Sequence, residues 1–145
     1  MLKVGDPAPE IRVGDFDLSN FKGKRVVLYF YPKADTPGCT VESCEFRDHS
    51  KAFAQKGAVI VGVSPDKSAA QDKFKEKYDL PFEMVPDFEK EAAQAYGVWK
   101  EKNMYGRKVM GIERTTFVIG PDGKIEKIYG KVKAAGHAEQ VLGDL

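Results

Sequence analysis

The sequence contains only two cysteines, Cys39 and Cys44, with four residues between them. Two thiols in a chain of 145 residues are too few for a small disulfide-stapled scaffold. Their spacing is also wider than the CxxC pair on which general disulfide reductases depend. A disulfide reductase is therefore a weaker alternative. In a reducing compartment, a close thiol pair is more often redox-active or metal-binding than structural. The segment that carries both thiols is therefore the first place to look for chemistry.

An excess of charge and long apolar runs are also lacking. Lys and Arg number 23 against 22 Asp and Glu, which leaves a net charge of +1 and does not favour nucleic acid, an anionic membrane or a polyacidic substrate. No run approaches the roughly 20 apolar residues that a membrane span needs. Residues 1–10 contain no apolar segment of the secretory-signal type. We therefore expect a cytoplasmic protein with neither a nucleic-acid nor a membrane partner.

The remaining composition is that of a folded globular protein. The chain is 42% hydrophobic and 31% charged, and no repeat, low-complexity segment or Gly/Ser-rich linker divides it. We expect a single domain spanning residues 1–145, long enough to bury a hydrophobic core.

Strand and helix patterns alternate along the chain. Continuous apolar runs at 25–31 and 58–63 predict strands buried on both faces, and 115–129 predicts two strands joined by a turn. Helical patterns cover 40–54, about 67–78 and 87–96, with a short helix near the C-terminus. Residues 11–21 resemble a small hairpin, and the basic stretch 99–111, the least patterned of all, is predicted to be a loop. This order predicts an α/β, thioredoxin-like fold, with a central mixed β-sheet flanked by helices and an N-terminal β-hairpin extension.

In this arrangement Cys39 lies at the junction between the first buried strand and the helix that follows it. Free backbone N–H groups and the positive end of the helix dipole favour a thiolate in the first helical turn. Pro37 and Gly38 suit a tight approach to a helix start, and the Thr36 hydroxyl can cap the turn or meet a bound oxygen species. The alternative is that Cys39 is a buried free cysteine that packs as a small apolar side chain.

The residues around Cys39 resemble a known signature. The string PKADTPGC at 32–39 resembles the PxxxTxxC signature of peroxiredoxins, and TPGCTVESCEFRD at 36–48 resembles the bacterioferritin comigratory protein, or peroxiredoxin Q, subfamily. The resemblance continues through VGVSPD at 61–66, YDLPF at 78–82 and GIERTTFVI at 111–119. It therefore extends over most of the chain.

This resemblance implies a thiol-dependent peroxidase that reduces hydrogen peroxide and alkyl hydroperoxides in antioxidant defence. It implies that Cys39 is the peroxidatic cysteine, which becomes a sulfenic acid, and that Cys44 is the resolving cysteine, which forms an intramolecular disulfide with it. It also implies recycling by thioredoxin, no cofactor and no metal. We expect a monomer or a weak homodimer.

The resemblance further implies a set of supporting residues. Thr36, the backbone N–H groups around Gly38 and Cys39, and an arginine matching Arg114 would donate to the peroxide oxygens. From the residues alone, Arg114 could equally be a solvated charge at a strand edge.

Two other residues complete the set. By resemblance, Pro32 would shield the thiolate from water. Glu42, one turn past Cys39, could orient Arg114, or it could simply be an acid favoured near a helix N-terminus.

The spacing of the thiols has a geometric consequence. On an ideal helix two residues five apart have Cα atoms roughly 8.7 Å apart, beyond the ~7 Å that a disulfide tolerates. If both thiols lie on one helix, the disulfide requires the first turns of that helix to unwind.

The rival interpretation is a metal-binding module, in which Cys39, Cys44 and His49 form a C-x4-C-x4-H pattern. Tetrahedral zinc usually needs four ligands at closer spacing, and the other histidine is His137. A structural disulfide is a third, weaker alternative.

Overall fold

The computed structural model describes residues 2–145, with Met104 described by its backbone only. In chain order, the strands are β1 (Arg12–Val13), β2 (Phe16–Asp17), β3 (Arg25–Phe30), β4 (Ala58–Ser64), β5 (Glu83–Pro86), β6 (Trp99–Met104), β7 (Arg107–Ile112), β8 (Thr115–Ile119) and β9 (Ile125–Tyr129). The helices are α1 (Pro37–Asp48), α2 (Ser50–Gln55), α3 (Ser68–Lys77), α4 (Glu91–Ala95) and α5 (His137–Asp144), with a 3-10 helix over Leu18–Phe21. None of the helices in this part of the chain is long and apolar enough to cross a membrane.

Five strands form the central sheet, in the order β5-β4-β3-β8-β9. Strands β3, β4 and β5 run parallel to one another. Strand β8 pairs antiparallel with β3, and β9 pairs antiparallel with β8. The mixed sheet, the flanking helices and the N-terminal β1–β2 hairpin confirm the predicted thioredoxin-like fold. Strand β3 lies at the centre, so the turn that follows it is framed by neighbours on both sides.

The two faces of β3 explain its unbroken apolar sequence. Val26, Leu28 and Phe30 enter one core, which also contains Ala92, Ala93 and Tyr96 from the region of α4. The alternate side chains enter a second core beneath α1, α2, α3 and α5. A strand buried on both faces has no polar side to show in its sequence.

Helix α1 is held on the second core by Phe46. Its ring is fully buried and stacks on Tyr29 at a centroid distance of 4.7 Å, with Phe53 at 5.8 Å. Burying a phenylalanine contributes about 1.5–3 kcal/mol. This contact fixes the helix that carries both cysteines.

The prediction of a loop at 99–111 is wrong. Strands β6 and β7 form an antiparallel hairpin, closed by Tyr105 and Gly106 with φ of 54° and 79°. Two successive positive φ angles are typical of the type I′ turn that joins tight hairpins. Residues 107–110 are exposed and only Ile112 at the end of β7 is buried, so most of the strand has no apolar alternation that could reveal it.

Two predicted helix boundaries are also wrong. The helix predicted at 40–54 is divided at His49 into α1 and α2, and the one predicted at 87–96 begins only at Glu91. Lys90 has φ of 59°, which ends the helical path towards Asp87. Asp87 instead accepts hydrogen bonds from the first helical N–H groups, those of Ala92 and Ala93, at 3.1 and 2.9 Å. Strand β5 occupies a segment for which no element was predicted.

Candidate active site

The site begins where β3 ends and α1 starts. Thr36 is the N-cap residue, in extended conformation, and Pro37 occupies the first helical position, where its fixed φ suits the helix. Cys39 therefore lies in the first turn, where backbone N–H groups have no intrahelical partner. Its side chain is 1% exposed. The Thr36 hydroxyl does not cap the helix; it donates to the carbonyl oxygen of Lys33 at 2.8 Å.

The loop between Tyr31 and the helix is fixed at two points. The backbone N–H of Ala34 donates to Asp66 Oδ2 at 2.7 Å, and Ser64 Oγ donates to the same oxygen at 2.5 Å. On the outer side, Asp35, with φ of 59°, accepts from Lys77 Nζ at 2.9 Å. The loop is thus held by the turn after β4 and by the end of α3.

A buried polar network continues from this anchor, and sequence reasoning did not identify it. Gln71 of α3 accepts from the Tyr31 hydroxyl at 2.6 Å and donates to Ser64 Oγ at 2.7 Å and to the Val85 carbonyl at 3.1 Å. A glutamine on the buried face of an amphipathic helix was the signal available, because such a side chain needs partners. The network ties β4, β5 and α3 to the start of the Cys39 loop at Tyr31.

Arg114 reaches Cys39 from the segment between β7 and β8. Its Nη2 donates to Cys39 Sγ at 3.3 Å and its Nη1 to Glu42 Oε1 at 2.7 Å. The antiparallel register pairs Phe30 with Thr115, which puts the start of β8 beside the end of β3. Arg114 is thus not the solvated strand-edge charge of the alternative interpretation, since its side chain is only 17% exposed.

Gly38 makes this approach possible. A Cβ atom at Gly38 would lie 3.2 Å from Arg114 Nη2, which is closer than about nine in ten real Cβ contacts. The missing side chain therefore leaves room for the guanidinium above the helix start.

Glu42 is fully buried and bonded to Arg114, an arrangement that the alternative of an acid favoured only by its place near the helix N-terminus does not require. Burial raises its pKa to about 7, although Arg114 favours the charged form. No hydrogen bond reaches its second oxygen, Oε2, from the described residues. The buried carboxyl therefore loses its proton less readily than a solvated glutamate.

The two remaining predicted residues lie at the margins of this cluster. Pro32 is half-buried and directly follows Tyr31. Cys44 is half-buried further along α1, where burial raises the pKa of its thiol. Both cysteines are free thiols on one continuous helix, which keeps their Cα atoms roughly 8.7 Å apart. Within residues 2–145, no three His, Cys, Asp or Glu side chains form a group that could hold a metal ion, so the Cys39, Cys44 and His49 trio is not assembled.

Known proteins share this sequence and fold. The profile of the AhpC/TSA family matches residues 4–128. Peroxiredoxin Bcp of Bacillus subtilis (strain 168) is 47% identical over 149 residues, covering 99% of this chain and 95% of that protein. Peroxiredoxin Bcp of Escherichia coli (strain K12) is 40% identical over 146 residues, covering 97% and 94%.

Solved structures give the same result. A mutant of Xylella fastidiosa PrxQ superposes with a TM-score of 0.90 at 38% identity, covering 99% of this chain and 95% of that one. The bacterioferritin comigratory protein of Xanthomonas campestris superposes with a TM-score of 0.85 at 43% identity, covering 89% and 82%. The chain therefore belongs to the AhpC/TSA family, and within it to the peroxiredoxins of the Q, or bacterioferritin comigratory protein, type.

Proposed function

We propose that this peroxiredoxin reduces hydrogen peroxide and alkyl hydroperoxides at Cys39, resolves the product with Cys44 and is recycled by thioredoxin. The observation that carries the proposal is the 3.3 Å hydrogen bond from Arg114 Nη2 to Cys39 Sγ in the first turn of α1. A guanidinium and free helix N–H groups favour a thiolate, which is the nucleophilic form of cysteine.

In the first step the Cys39 thiolate attacks the terminal oxygen of the hydroperoxide. An S–O bond forms, the O–O bond breaks, and the leaving alkoxide takes up a proton to become an alcohol. The sulfur is oxidised by two electrons to a sulfenic acid. Arg114 and the N–H groups of the first turn stabilise the negative charge that develops on the leaving oxygen.

Thr36 and Pro32 support this step in different ways. The Thr36 hydroxyl donates its one hydrogen to the Lys33 carbonyl, so it does not supply the donor to the peroxide that the resemblance implied. Its oxygen is instead left to accept a hydrogen bond from the peroxide. Pro32, half-buried after Tyr31, limits the access of water to the thiolate. Glu42 orients Arg114 through the 2.7 Å contact with Nη1.

In the second step the Cys44 thiolate attacks the sulfenic sulfur. An S–S bond forms and the oxygen leaves as water after protonation. The two cysteines are too far apart on an intact helix, so α1 must unwind first. The chain has no other thiol, so an external dithiol, which we propose to be thioredoxin, reduces the disulfide by exchange.

Two further elements of the proposal concern substrate and setting. Organic hydroperoxides are supported by the X. campestris relative, whose structure was studied for alkyl peroxide reduction activity. We propose that the enzyme acts in the cytoplasm as a monomer or weak homodimer, a state that size-exclusion chromatography with light scattering measures directly.

The test is turnover of hydrogen peroxide and tert-butyl hydroperoxide coupled to NADPH through thioredoxin reductase and thioredoxin. Wild type, Cys39→Ser and Cys44→Ser are compared. We expect no turnover from Cys39→Ser, and from Cys44→Ser one oxidation event without sustained thioredoxin-dependent cycling. Peroxidase activity in Cys39→Ser would overturn the whole proposal. Full cycling in Cys44→Ser would show that Cys44 is not the resolving cysteine. Turnover only with glutathione and glutaredoxin would show that thioredoxin is not the reductant.

A further inference from the structure

The β6–β7 hairpin carries charges beside the peroxide site. The chain leaves β7 at Ile112 and reaches Arg114 two residues later. The hairpin base is tied to this segment, because the Glu113 N–H donates to the Val98 carbonyl at 2.9 Å. Lys100 Nζ contacts Glu113 Oε2 at 2.6 Å. Alternate residues of a strand share a face, so Lys102 lies on the same face of the hairpin as Lys100.

The Lys102 side chain is directed towards the base of the hairpin. Its register partner is Val109, whereas Gly111, the partner of Lys100, lies nearer the base. Nevertheless its Cδ, Cε and Nζ atoms lie 3.4, 3.7 and 3.9 Å from the position that a Gly111 Cβ would occupy. The side chain thus runs back over the bare backbone of Gly111, towards the base of the hairpin, from which the chain continues to Arg114.

We propose that Lys102 is the second cation of the peroxide site and a positioning residue that acts through its charge on the Cys39 thiolate. This inference rests on the proposed function of Cys39. It gives the unpredicted hairpin a role in the reaction.

The electrostatic surroundings of Lys102 agree with this placement. Burial lowers its pKa, the Arg114 guanidinium lowers it further, and Glu113 and Cys39 act in the opposite direction. The ammonium is therefore half-buried and within electrostatic reach of both groups of the site. The charged and titratable groups that face this region are Cys39 and Glu42 on α1, Glu113 and Arg114 after β7, and Lys100 on β6.

A second cation has a physical use here. Arg114 shares its charge between Cys39 and Glu42, and the Glu42 carboxyl has a pKa of about 7. When Glu42 is ionised, it offsets part of the arginine charge that would otherwise act on the Cys39 sulfur. Lys102 has no carboxylate partner among the described residues within ion-pair distance, unlike Lys100, so its charge remains available to the thiolate.

The test replaces Lys102 by Met, which keeps the stem and removes the charge, and by Arg, which restores it. Lys108→Met is the matched control, since Lys108 lies on the opposite face of the same hairpin and its side chain is 81% exposed. All variants are made in a Cys44→Ser background, so that Cys39 is the only thiol. The rate of alkylation by iodoacetamide is measured from pH 5 to 9, and circular dichroism checks the fold.

We expect the midpoint of the alkylation profile to move upwards by about 0.5–1 pH unit in Lys102→Met, which makes the reaction roughly three- to tenfold slower below the midpoint. Lys102→Arg and Lys108→Met keep the wild-type midpoint. The rate of reaction with hydrogen peroxide, followed by Trp99 fluorescence, falls by the same factor at low pH and recovers at high pH. Lys102→Gln repeats the test if the Met variant does not fold.

An unchanged midpoint in a folded Lys102→Met or Lys102→Gln variant would overturn the inference. The alkylation assay does not require peroxidase activity, so this result is distinguishable from a failure of the proposed function. That failure is signalled by peroxide turnover in Cys39→Ser.

Discussion

At the residue scale, the proposed chemistry of Cys39 depends on how closely the Arg114 guanidinium can approach the start of α1. Gly38 sets this distance, because any side chain there would meet Nη2 at 3.2 Å. Removing a single preorganised donor from a developing oxyanion commonly costs about 10²- to 10³-fold in rate. A small displacement of the same donor has a smaller effect.

The substitution Gly38→Ala separates activity from stability. We expect the rate of Cys39 oxidation by hydrogen peroxide to fall about tenfold, because the guanidinium must retreat from Sγ. Alanine is a better helix former by about 1 kcal/mol, so the free energy of unfolding stays equal or rises. Stopped-flow fluorescence and urea unfolding measure the two quantities.

The control for this prediction is Gly143→Ala in α5, where nothing lies within 4 Å of the new Cβ. It should change stability in the same direction and leave the oxidation rate untouched. A wild-type oxidation rate in Gly38→Ala would show that the close approach of Arg114 is not needed.

Part of the site could be predicted residue by residue. Pro32, Thr36, Gly38 and Cys39 stand in one short string, so a local motif is enough to identify them. Arg114 is far away in sequence and is identified only by family resemblance, because its position depends on the pairing of Phe30 with Thr115.

Other site residues could not be predicted because their signals are tertiary. Gln71 is an ordinary helical residue until the fold places it between Tyr31 and Ser64. Lys102 is one of several lysines in a stretch without apolar pattern. Neither position has a spacing rule that connects it with Cys39.

At the scale of elements, the sequence predicted best where a face is buried. Strands β3 and β4 are apolar throughout because both faces are covered, and α3 shows its amphipathic spacing. The β6–β7 hairpin is solvated along much of its length and is closed by Tyr105 at positive φ, so neither periodicity nor turn composition indicates it. Strand propensity reflects the packing of side chains on a half-buried surface, so a hairpin that is largely solvated leaves little signal in its sequence.

In the proposed mechanism, helix α1 must be stable enough to hold Cys39 beside Arg114 and must unwind readily enough to let Cys44 reach Cys39. Besides the packing of Phe46, two hydrogen bonds hold α1 in place. One joins Ser43 Oγ and the Tyr29 hydroxyl at 2.8 Å, and in the other Glu45 Oε1 accepts from the Gly136 N–H at 2.8 Å. Each such bond contributes about 1 kcal/mol. The rate of disulfide formation should therefore respond to the loss of one bond.

The substitution Tyr29→Phe removes the bond to Ser43 and retains the ring that stacks on Phe46. If unwinding of α1 limits the second step, disulfide formation should be about fivefold faster, which corresponds to about 1 kcal/mol. Loss of free thiols is followed by quenched alkylation after one equivalent of hydrogen peroxide.

Tyr129→Phe is the control, because its hydroxyl bonds Asp144 in α5 and not α1. It should form the disulfide at the wild-type rate. If Tyr29→Phe also matched wild type while its initial oxidation was normal, unwinding would not be the slow step.

At the scale of the whole molecule, two buried titratable groups on the same side of the sheet have opposite effects on how stability changes with pH. His137 is 3% exposed, and its Nε2 is 2.7 Å from Thr116 Oγ1. Burial, with a smaller effect of Arg114, lowers its pKa to about 4 from 6.5. Glu42 has its pKa raised to about 7 from 4.5.

Whether stability rises or falls with pH depends on whether the unfolded or the native state binds more protons. Between about pH 4 and 6.5 the unfolded chain binds a proton at His137 that the native protein excludes, so this group makes stability rise with pH. Between about pH 4.5 and 7 the native protein binds a proton at Glu42 that the unfolded chain releases, so this group makes stability fall with pH. In their region of overlap the two contributions largely cancel.

The substitutions Glu42→Gln and His137→Gln should expose each contribution. From pH 4.5 to 6.5, we expect the free energy of unfolding of Glu42→Gln to rise by about 2 kcal/mol relative to wild type, and that of His137→Gln to fall by a similar amount. The double variant should follow the wild-type slope, because both groups are removed together. Urea unfolding at four pH values between 4.5 and 7.5 measures the slopes. Single variants with slopes parallel to wild type would mean that burial shifts the pKa of neither group.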